Sequence, residues 1–276
     1  MEEGTLYLVG TPIGNLDDIT MRALKILNEV DLIAAEDTRH TRKLLSFYDI
    51  HTPLTSYYEH NKRAKGDYII SLLEQGKKVA LVSDAGMPGI SDPGEDIVRE
   101  AVLAGVKVYP IPGPSASLAA LVVSALPTSR FVFEGFLPRN KKERKHRLSL
   151  LSEETRTIIL YESPHRIEET LRELLEYLGE RQAAAAREIT KKYEEVIRGS
   201  LGEIIGFFEE HPPKGEFTLI VAGADELKAE APGIDEITEE LNRLISAGMK
   251  KKEAIKEVAG RFRIPKNEVY KISLKE

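Results

Sequence analysis

Short, largely apolar runs alternate with amphipathic stretches along the first 110 residues. Residues 6–9, 31–35, 79–82 and 106–111 are four- to six-residue runs bounded by polar or glycine-bearing segments. That is the pattern of strands buried in a parallel sheet. Helical spacing gathers Met21, Leu24, Ile26 and Leu27 on one face. It gathers Leu44, Leu45 and Tyr48 on a second face over 39–48, and Tyr68, Ile69, Leu72 and Leu73 on a third over 62–74, which Gly76 ends. Ile97, Val98, Ala101 and Val102 continue the pattern, and Asp17 or Asp18 is expected to cap the first helix. The order strand, helix, strand, helix, helix, strand, helix, strand predicts a doubly wound α/β sheet.

Pro110, Pro112 and Pro114 around Gly113 break the rhythm. Three prolines there form a stiff, shaped segment. An apolar helix follows to Leu126, with Ser115 or Ser117 as its cap. Strands are expected at 131–133, 157–161, 183–186, 193–198 and 217–222, and helices at 167–178 and 201–210. This second half reads as mixed α/β. Helical patterns return at 234–247, 250–259 and 266–272. The expected organisation is a doubly wound domain over 1–113, a mixed α/β domain over 114–224, a linker over 225–233 and a basic helical module over 234–276.

Composition narrows the chemistry. The net charge of -6 argues against a protein that coats nucleic acid over its whole surface, but leaves room for a local basic patch. Two such patches exist. Residues 139–147 hold six Lys or Arg against one Glu; such a run is commonly a solvated helix start, but its place after a Gly-Pro loop at a strand end also suits a lid or a phosphate-contacting segment, and residues 248–276 hold nine against four. The tail's helix, turn and helix resemble a helix-turn-helix with a short last helix, better suited to generic phosphate contact or to packing than to duplex reading. For packing on the body it offers Ile237, Leu241, Leu244, Ile255 and Val258. The absence of Cys excludes disulfides, thiolate metal sites and thiol nucleophiles. No metal-ligand spacing of His is present, so no metal is expected. An acidic start and the lack of a long apolar stretch predict a cytoplasmic protein that does not engage membranes.

The stretch SDAGMPGISDPG at 83–94 follows a buried strand and turns repeatedly through its Gly and Pro residues. In open α/β sheets ligands bind beyond the carboxyl ends of the strands, so this loop is the leading ligand-site candidate, with Asp92 expected to cap the next helix. The first loop, GTPIGN at 10–15, is neither a Walker loop nor GxGxxG. Glu36 and Asp37, and then Tyr58, Glu59, His60 and Asn61, come from later loops of the same half.

Taken together, LVGTPIGNLDDIT (8–20), AAEDTRHTRKLL (34–45), SYYEHN (56–61), LVSDAGMPGISDPG (81–94) and PIPGPSA (110–116) form an ordered set of motifs. GFLP (135–138), YESPHR (161–166), REITKKYEE (187–195) and GEFTLIV (215–221) complete it. The set, which spans nearly the whole chain, resembles the tetrapyrrole methylase superfamily of S-adenosylmethionine-dependent methyltransferases. Within it, the chain is similar to the bacterial ribosomal RNA small subunit methyltransferase I family. The resemblance implies two α/β domains with S-adenosylmethionine in the cleft between them, and a homodimer. It implies 2'-O-methylation of a cytidine in the decoding region of 16S ribosomal RNA, as naked RNA or in the small ribosomal subunit. Tetrapyrrole-modifying members often carry Gly-Asp-Pro where this chain has Gly86-Met87-Pro88, so an acidic contact to the cofactor ammonium would fall to Asp84 instead.

Methyl transfer from a sulfonium needs orientation and negative electrostatics rather than a metal. Ser83, Asp84, Ala85, Gly86, Pro88, Gly89 and Ile90 are expected to line the cofactor, with Gly113, Ser115 and Ala116. Leu137, Tyr161, Glu162 and Ser163, then Glu216 and Thr218, extend the lining in the second half. A ribose hydroxyl is a very weak acid, so a base is wanted, and loops offer Glu36, Asp37, Glu59, His60 and Glu188. Arg39, Arg166, Arg187, Lys191 and Lys192, and Lys250, Lys251 and Lys252 in the tail, are the candidate RNA contacts. Two other functions fit parts of the pattern. A methyltransferase acting on a tetrapyrrole precursor explains the motifs without the basic tail, and a non-catalytic RNA-binding protein explains the tail without the loop.

Overall fold

The computed structural model describes residues 3–225, 234–246, 248–262 and 266–274. Five parallel strands form the first sheet: β1 (Thr5–Val9), β2 (Leu32–Ala35), β3 (Leu54–Ser56), β4 (Lys78–Val82) and β5 (Lys107–Ile111), in the order β3-β2-β4-β1-β5. Helices α1 (Met21–Glu29) and α2 (Thr38–Phe47) cover one face, where Ala23, Leu27 and Leu45 meet Val9, Ile33, Ala80 and Ile111. Helices α3 (Lys62–Glu74) and α4 (Glu95–Leu103) cover the other, where Ile69, Leu73, Ile97 and Ala101 meet Leu6, Val79 and Leu81. β2 and β4 are sandwiched on both faces, which is why they read as unbroken apolar runs. Because all five strands run the same way, the loops that follow them gather along one edge.

Several local expectations change. β3 is a short edge strand of half-buried residues, so it lacks the apolar run that marks the other strands. Thr20, not Asp17 or Asp18, caps α1 by accepting from the Ala23 N–H at 3.1 Å. The two aspartates sit in a single 3-10 turn (Leu16–Asp18) that Asn15 caps. Gly94, not Asp92, occupies the cap position of α4, with no side-chain hydrogen bond there. Ser115 stands at the cap of α5 (Ala116–Val123), but its hydroxyl meets that of Ser117 at 3.0 Å rather than a backbone N–H. Met21, Tyr68 and Val102 are exposed, since each lies at the margin of its apolar stripe.

The second sheet has the order β6-β7-β10-β8-β9. Its strands are β6 (Phe131–Phe136), β7 (Thr157–Glu162), β8 (Gln182–Arg187), β9 (Glu195–Ser200) and β10 (Phe217–Val221). Only β6 and β7 pair in parallel; the other three pairings are antiparallel. Helices α6 (Lys141–Ser152), α7 (Ile167–Leu178) and α8 (Leu201–Glu210) pack on one face through Leu148, Leu171, Leu174 and Ile204. Ser200 and Glu203 close a capping box at the start of α8. α5 packs on the opposite face, with Ala120 and Leu121 against Ile159, Ala184 and Ile220.

Contacts divide the chain into two compact units, the first ending at Ala224 and containing both sheets. The second begins at Asp225 and holds α9 (Ile234–Ser246), α10 (Lys251–Arg261) and α11 (Lys266–Ile272). Ile237, Leu241, Ile255 and Val258 form this unit's own core with Ala254 and Val269, and Leu244 packs against it. The expected linker lies outside the described residues apart from Asp225.

Candidate active site

Four strand-end loops of the first unit converge. Thr11 and Gly86 exchange backbone hydrogen bonds of 2.9 and 3.1 Å, tying the β1 loop to the β4 loop. Gly10 and Gly113 lie so close that a Cβ on either would sit 2.8 Å from the other's Cα. Only glycine fits this crossing of the β1 and β5 loops. The β4 loop turns with Gly86 at φ 81°, Gly89 at φ 84° and Ser91 at φ 62°. The last is a left-handed conformation that a serine holds only under constraint. Ser91 in turn approaches Gly135 of β6, where an added Cβ would meet its Oγ at 3.2 Å.

Three carboxylates collect behind this crossing. Asp84 accepts the Asp37 N–H at 3.1 Å, joining the β2 and β4 loops. Burial, with Asp92 and Asp84 close by, raises the Glu36 carboxyl above its usual range. One Glu36 oxygen, Oε2, is buried without a hydrogen-bond partner among the described residues. Burial also pushes Asp92 up to about 6, with Asp84 adding to the shift and the Ser83 hydroxyl offsetting part of it. Arg39 lies near enough to Asp84 to offset part of this charge, and the desolvated remainder is relieved by a bound cation. The donor set therefore fits a ligand carrying a sulfonium and an ammonium group. Asp92 is the acid that the capping expectation passed over, and a second Asp two residues before Gly94 was the available signal.

The other candidate bases lie in different surroundings. Asp37 caps α2 and is chelated by Arg39 at 2.8 Å, a hydrogen bond that holds its carboxyl far below the usual range. Glu59 is exposed and pairs with Lys62 at 2.9 Å, and His60 is exposed beside Tyr58. Burial pushes Glu188 up, but the Glu216 N–H at 2.9 Å and Lys191 at 3.0 Å outweigh it and leave the net shift downward. Lys191 also reaches Glu216 at 2.8 Å and lies against Gly14, bridging the two halves of the unit.

Strand alternation sorts the expected cofactor residues. Tyr161 and Thr218 are cross-strand partners on the α5 face, and Tyr161 meets the rings of Phe133 and Phe136. Glu162 points to the opposite face. It is 3% exposed, accepts from Thr170 Oγ1 at 2.6 Å and takes the Ser163 N–H at 2.9 Å. The Leu137 side chain belongs to that face's core. For Glu162 and Leu137, only backbone is left to offer a ligand on the Tyr161 side. Ala85 and Ile90 are exposed at the rim, while Pro88 is buried. Ala116 opens α5, and no side chain caps the end of that helix nearest Gly113.

The expected RNA contacts divide similarly. Arg39 is exposed on Asp37, Arg187 pairs with Glu195 at 3.4 Å, and Lys192 lies over the Tyr193 ring. Arg166 stands at the start of α7 and lines a cavity with residues of α6. In the second unit Lys250 and Lys252 are exposed, whereas Lys251 donates to the Ser273 carbonyl at 2.8 Å and so ties α10 to the end of α11. Arg144 of α6 was missed as a site residue. Its spacing from Leu148 and Leu151 places it on the helix's buried face, and a cation there is the signal.

Comparison with known proteins gives the site a context. The family Tetrapyrrole (Corrin/Porphyrin) Methylases matches residues 5–205. Ribosomal RNA small subunit methyltransferase I of Bacillus subtilis is 51% identical over 271 residues, covering 97% of this chain and 93% of that protein. The protein of the same name from Synechocystis is 47% identical, covering 98% of both chains. A shorter one from Thermotoga maritima is 52% identical over 222 residues, all of its length and 80% of this chain. Among solved structures, diphthine synthase superposes with a TM-score of 0.60 at 18% identity, covering 79% of this chain and 90% of its own. Uroporphyrin-III-C-methyltransferase from Thermus thermophilus superposes with a TM-score of 0.55 at 22% identity, covering 82% and 98%. These structural likenesses bear on the fold alone.

Proposed function

Because the chain belongs to the ribosomal RNA small subunit methyltransferase I family, within the tetrapyrrole methylases, we propose that it methylates the ribose 2'-hydroxyl of a cytidine in the decoding region of 16S ribosomal RNA, using S-adenosylmethionine, in the cytoplasm. The observation that carries the reading is the Glu36, Asp84 and Asp92 cluster at the crossing of Gly10 and Gly113, in which one buried Glu36 oxygen has no hydrogen-bond partner among the described residues, at the edge where α/β sheets bind ligands. When bound there, the cofactor supplies a methyl group made electrophilic by a positive sulfur.

The chain's own residues do the rest. Asp84, held by the Asp37 N–H, and Asp92 face the positive charge. The glycine crossing admits the ligand against backbone. Glu36 is the group that accepts the ribose proton as the new bond forms: it is buried, its carboxyl is raised, and one oxygen is free of partners. Tyr161 and Thr218 close the second half's side. The test is single-turnover methyl transfer to small ribosomal subunits and to naked RNA, with a tetrapyrrole precursor as the competing acceptor. Glu36→Gln is expected to slow transfer a hundredfold or more at saturating cofactor and RNA, with RNA affinity kept. A wild-type rate in this variant would remove Glu36 from the chemistry, and acceptance of the precursor alone would overturn the RNA substrate.

A homodimer is part of the same proposal. Leu118, Val122 and Val123 leave an apolar strip of α5 exposed on the single chain, which supports it. A sedimentation mass of about 62 kDa, twice the 30.8 kDa chain, is expected; a mass of one chain at micromolar concentration would exclude the dimer.

A further inference from the structure

Arg144 lies on the core-facing side of α6 and is only 4% exposed. Charged side chains are buried this fully only when paired. Its Nε donates to Glu173 at 2.5 Å and its Nη2 to Thr170 Oγ1 at 2.8 Å. Its Nη1 is buried with no hydrogen-bond partner among the described residues. The side chain lines a cavity of about 370 Å³ between the first turns of α6 and α7, at the small end of ligand pockets, which run from roughly 300 to 1,000 Å³.

Arg139, Lys141, Lys145 and Arg166 line the same cavity, and two glutamates complete the wall. None of those four cations has a hydrogen-bond or ion-pair partner for its charged head among the described residues. A cavity that only served packing would leave its one buried guanidinium satisfied by Glu173 and Thr170. Here the third nitrogen is left over, and four further positive groups share the cavity with only two glutamates, one of which, Glu173, already pairs with Arg144. The end of α7 that opens on the cavity has no side-chain cap, so its backbone dipole adds to the positive field. A guanidinium fork with lysines around it matches an anion that offers several oxygens in different directions.

We propose that this cavity is a phosphate-binding site, and that its occupant is a backbone phosphodiester of the RNA strand. The second half of the proposal rests on the RNA substrate argued above. The site lies on the α7 face of the second sheet, opposite the face that carries Tyr161. It is linked inward through Thr170, which also donates to the buried Glu162 at 2.6 Å, and Glu162 in turn holds the Ser163 N–H at 2.9 Å. A phosphate held by Arg144 would therefore be anchored to the segment that leaves β7 for α7. Contacts of this kind fix the register of a strand without reading its sequence.

The test uses the full-length protein and a double variant, Lys141→Ala with Lys145→Ala, whose exposed side chains leave Arg144 and the core in place. Inorganic phosphate at millimolar concentration is expected to raise the melting temperature of the wild type and not of the variant. Affinity for an RNA hairpin copying the decoding segment of the small-subunit RNA, followed by anisotropy at two salt concentrations, is expected to fall about tenfold. Its logarithmic salt slope should flatten by roughly 0.7–0.9 for one lost phosphate contact. Cofactor affinity by calorimetry should stay within twofold. Phosphate protection with unchanged RNA affinity would assign the site to a free anion and overturn the RNA occupant. Absence of both effects would overturn the site. Failure of the wild type to bind any RNA would count against the RNA substrate itself, while the phosphate arm would still decide the cavity.

Discussion

At the scale of single residues, the carboxylate cluster has a pH signature whose sign follows from burial. Asp92 is pushed up to about 6 and Glu36 is raised as well. Between the unfolded value of about 3.9 for an aspartate and that folded value, the native state holds a proton that the unfolded chain has lost. Stability therefore falls as pH rises through this window and levels off above it. A cationic cofactor prefers the ionised cluster, so its affinity should rise across the same window and flatten above about pH 7. Titration calorimetry near pH 6 in buffers of different ionisation enthalpy should show proton release on binding. Asp92→Asn should remove most of that release, weaken cofactor binding about tenfold and raise the melting temperature at pH 7.5, since it deletes a repelled buried charge. Proton uptake on binding, or a pH-independent affinity, would contradict the arrangement. The sequence made these acids visible as loop residues but not their ranking. Asp37, Glu59 and Glu188 look equivalent to Glu36 in a string of letters, and only the partners Arg39, Lys62 and Lys191 distinguish them.

At the scale of elements, the parallel strands were legible because burial on both faces strips polar residues from them, as in β2 and β4. β3 was not, because an edge strand of half-buried residues carries no such stripe. The direction of Glu162 was readable only once β7 was placed in the sheet, since alternation sends it to the face opposite Tyr161. The glycine crossing was half legible: loops rich in Gly and Pro announced a turn, but not that Gly10 would meet Gly113 across two loops. This contact gives a sharp expectation. Gly113→Ala places a Cβ 2.8 Å from the Gly10 backbone, which cannot rotate away. The loops must part, at a cost of about 1–3 kcal/mol in stability by the measure of other overpacked sites. Cofactor affinity should drop at least tenfold by calorimetry. Gly105→Ala is the contrast, because its added Cβ meets nothing within 4 Å and only the φ of 72° opposes it. It should cost stability with no change in cofactor affinity.

At the scale of the whole molecule, an acidic first unit is followed by a second that is neutral as a whole but ends in a basic stretch. Residues 248–276 hold nine Lys or Arg against four Glu, while the chain as a whole carries -6. The sequence showed this asymmetry and the tail's helices, but left open whether their apolar residues served the body. Ile237, Leu241, Ile255 and Val258 instead enclose a core with Ala254 and Val269 inside the second unit, which is the physical requirement for a module that folds by itself. The shorter Thermotoga relative aligns over 222 residues, close to the 224 of the first unit, so a chain of that size carries the same name. A truncation after Ala224 is therefore expected to fold, to melt within a few degrees of the first transition of the full chain, and to bind cofactor within twofold. If the tail supplies phosphate contacts, chiefly through exposed cations such as Lys250 and Lys252, the truncation should bind RNA at least tenfold more weakly in low salt. Its affinity should also depend less steeply on salt, because fewer counterions are released, and the two proteins should converge as salt rises. The four affinities, two proteins at two salt concentrations, decide the matter. Equal salt slopes in a folded truncation would exclude the tail from the RNA contact and leave the charge asymmetry to another partner. A truncation that loses cofactor binding as well would show instead that the second unit is needed for the integrity of the first.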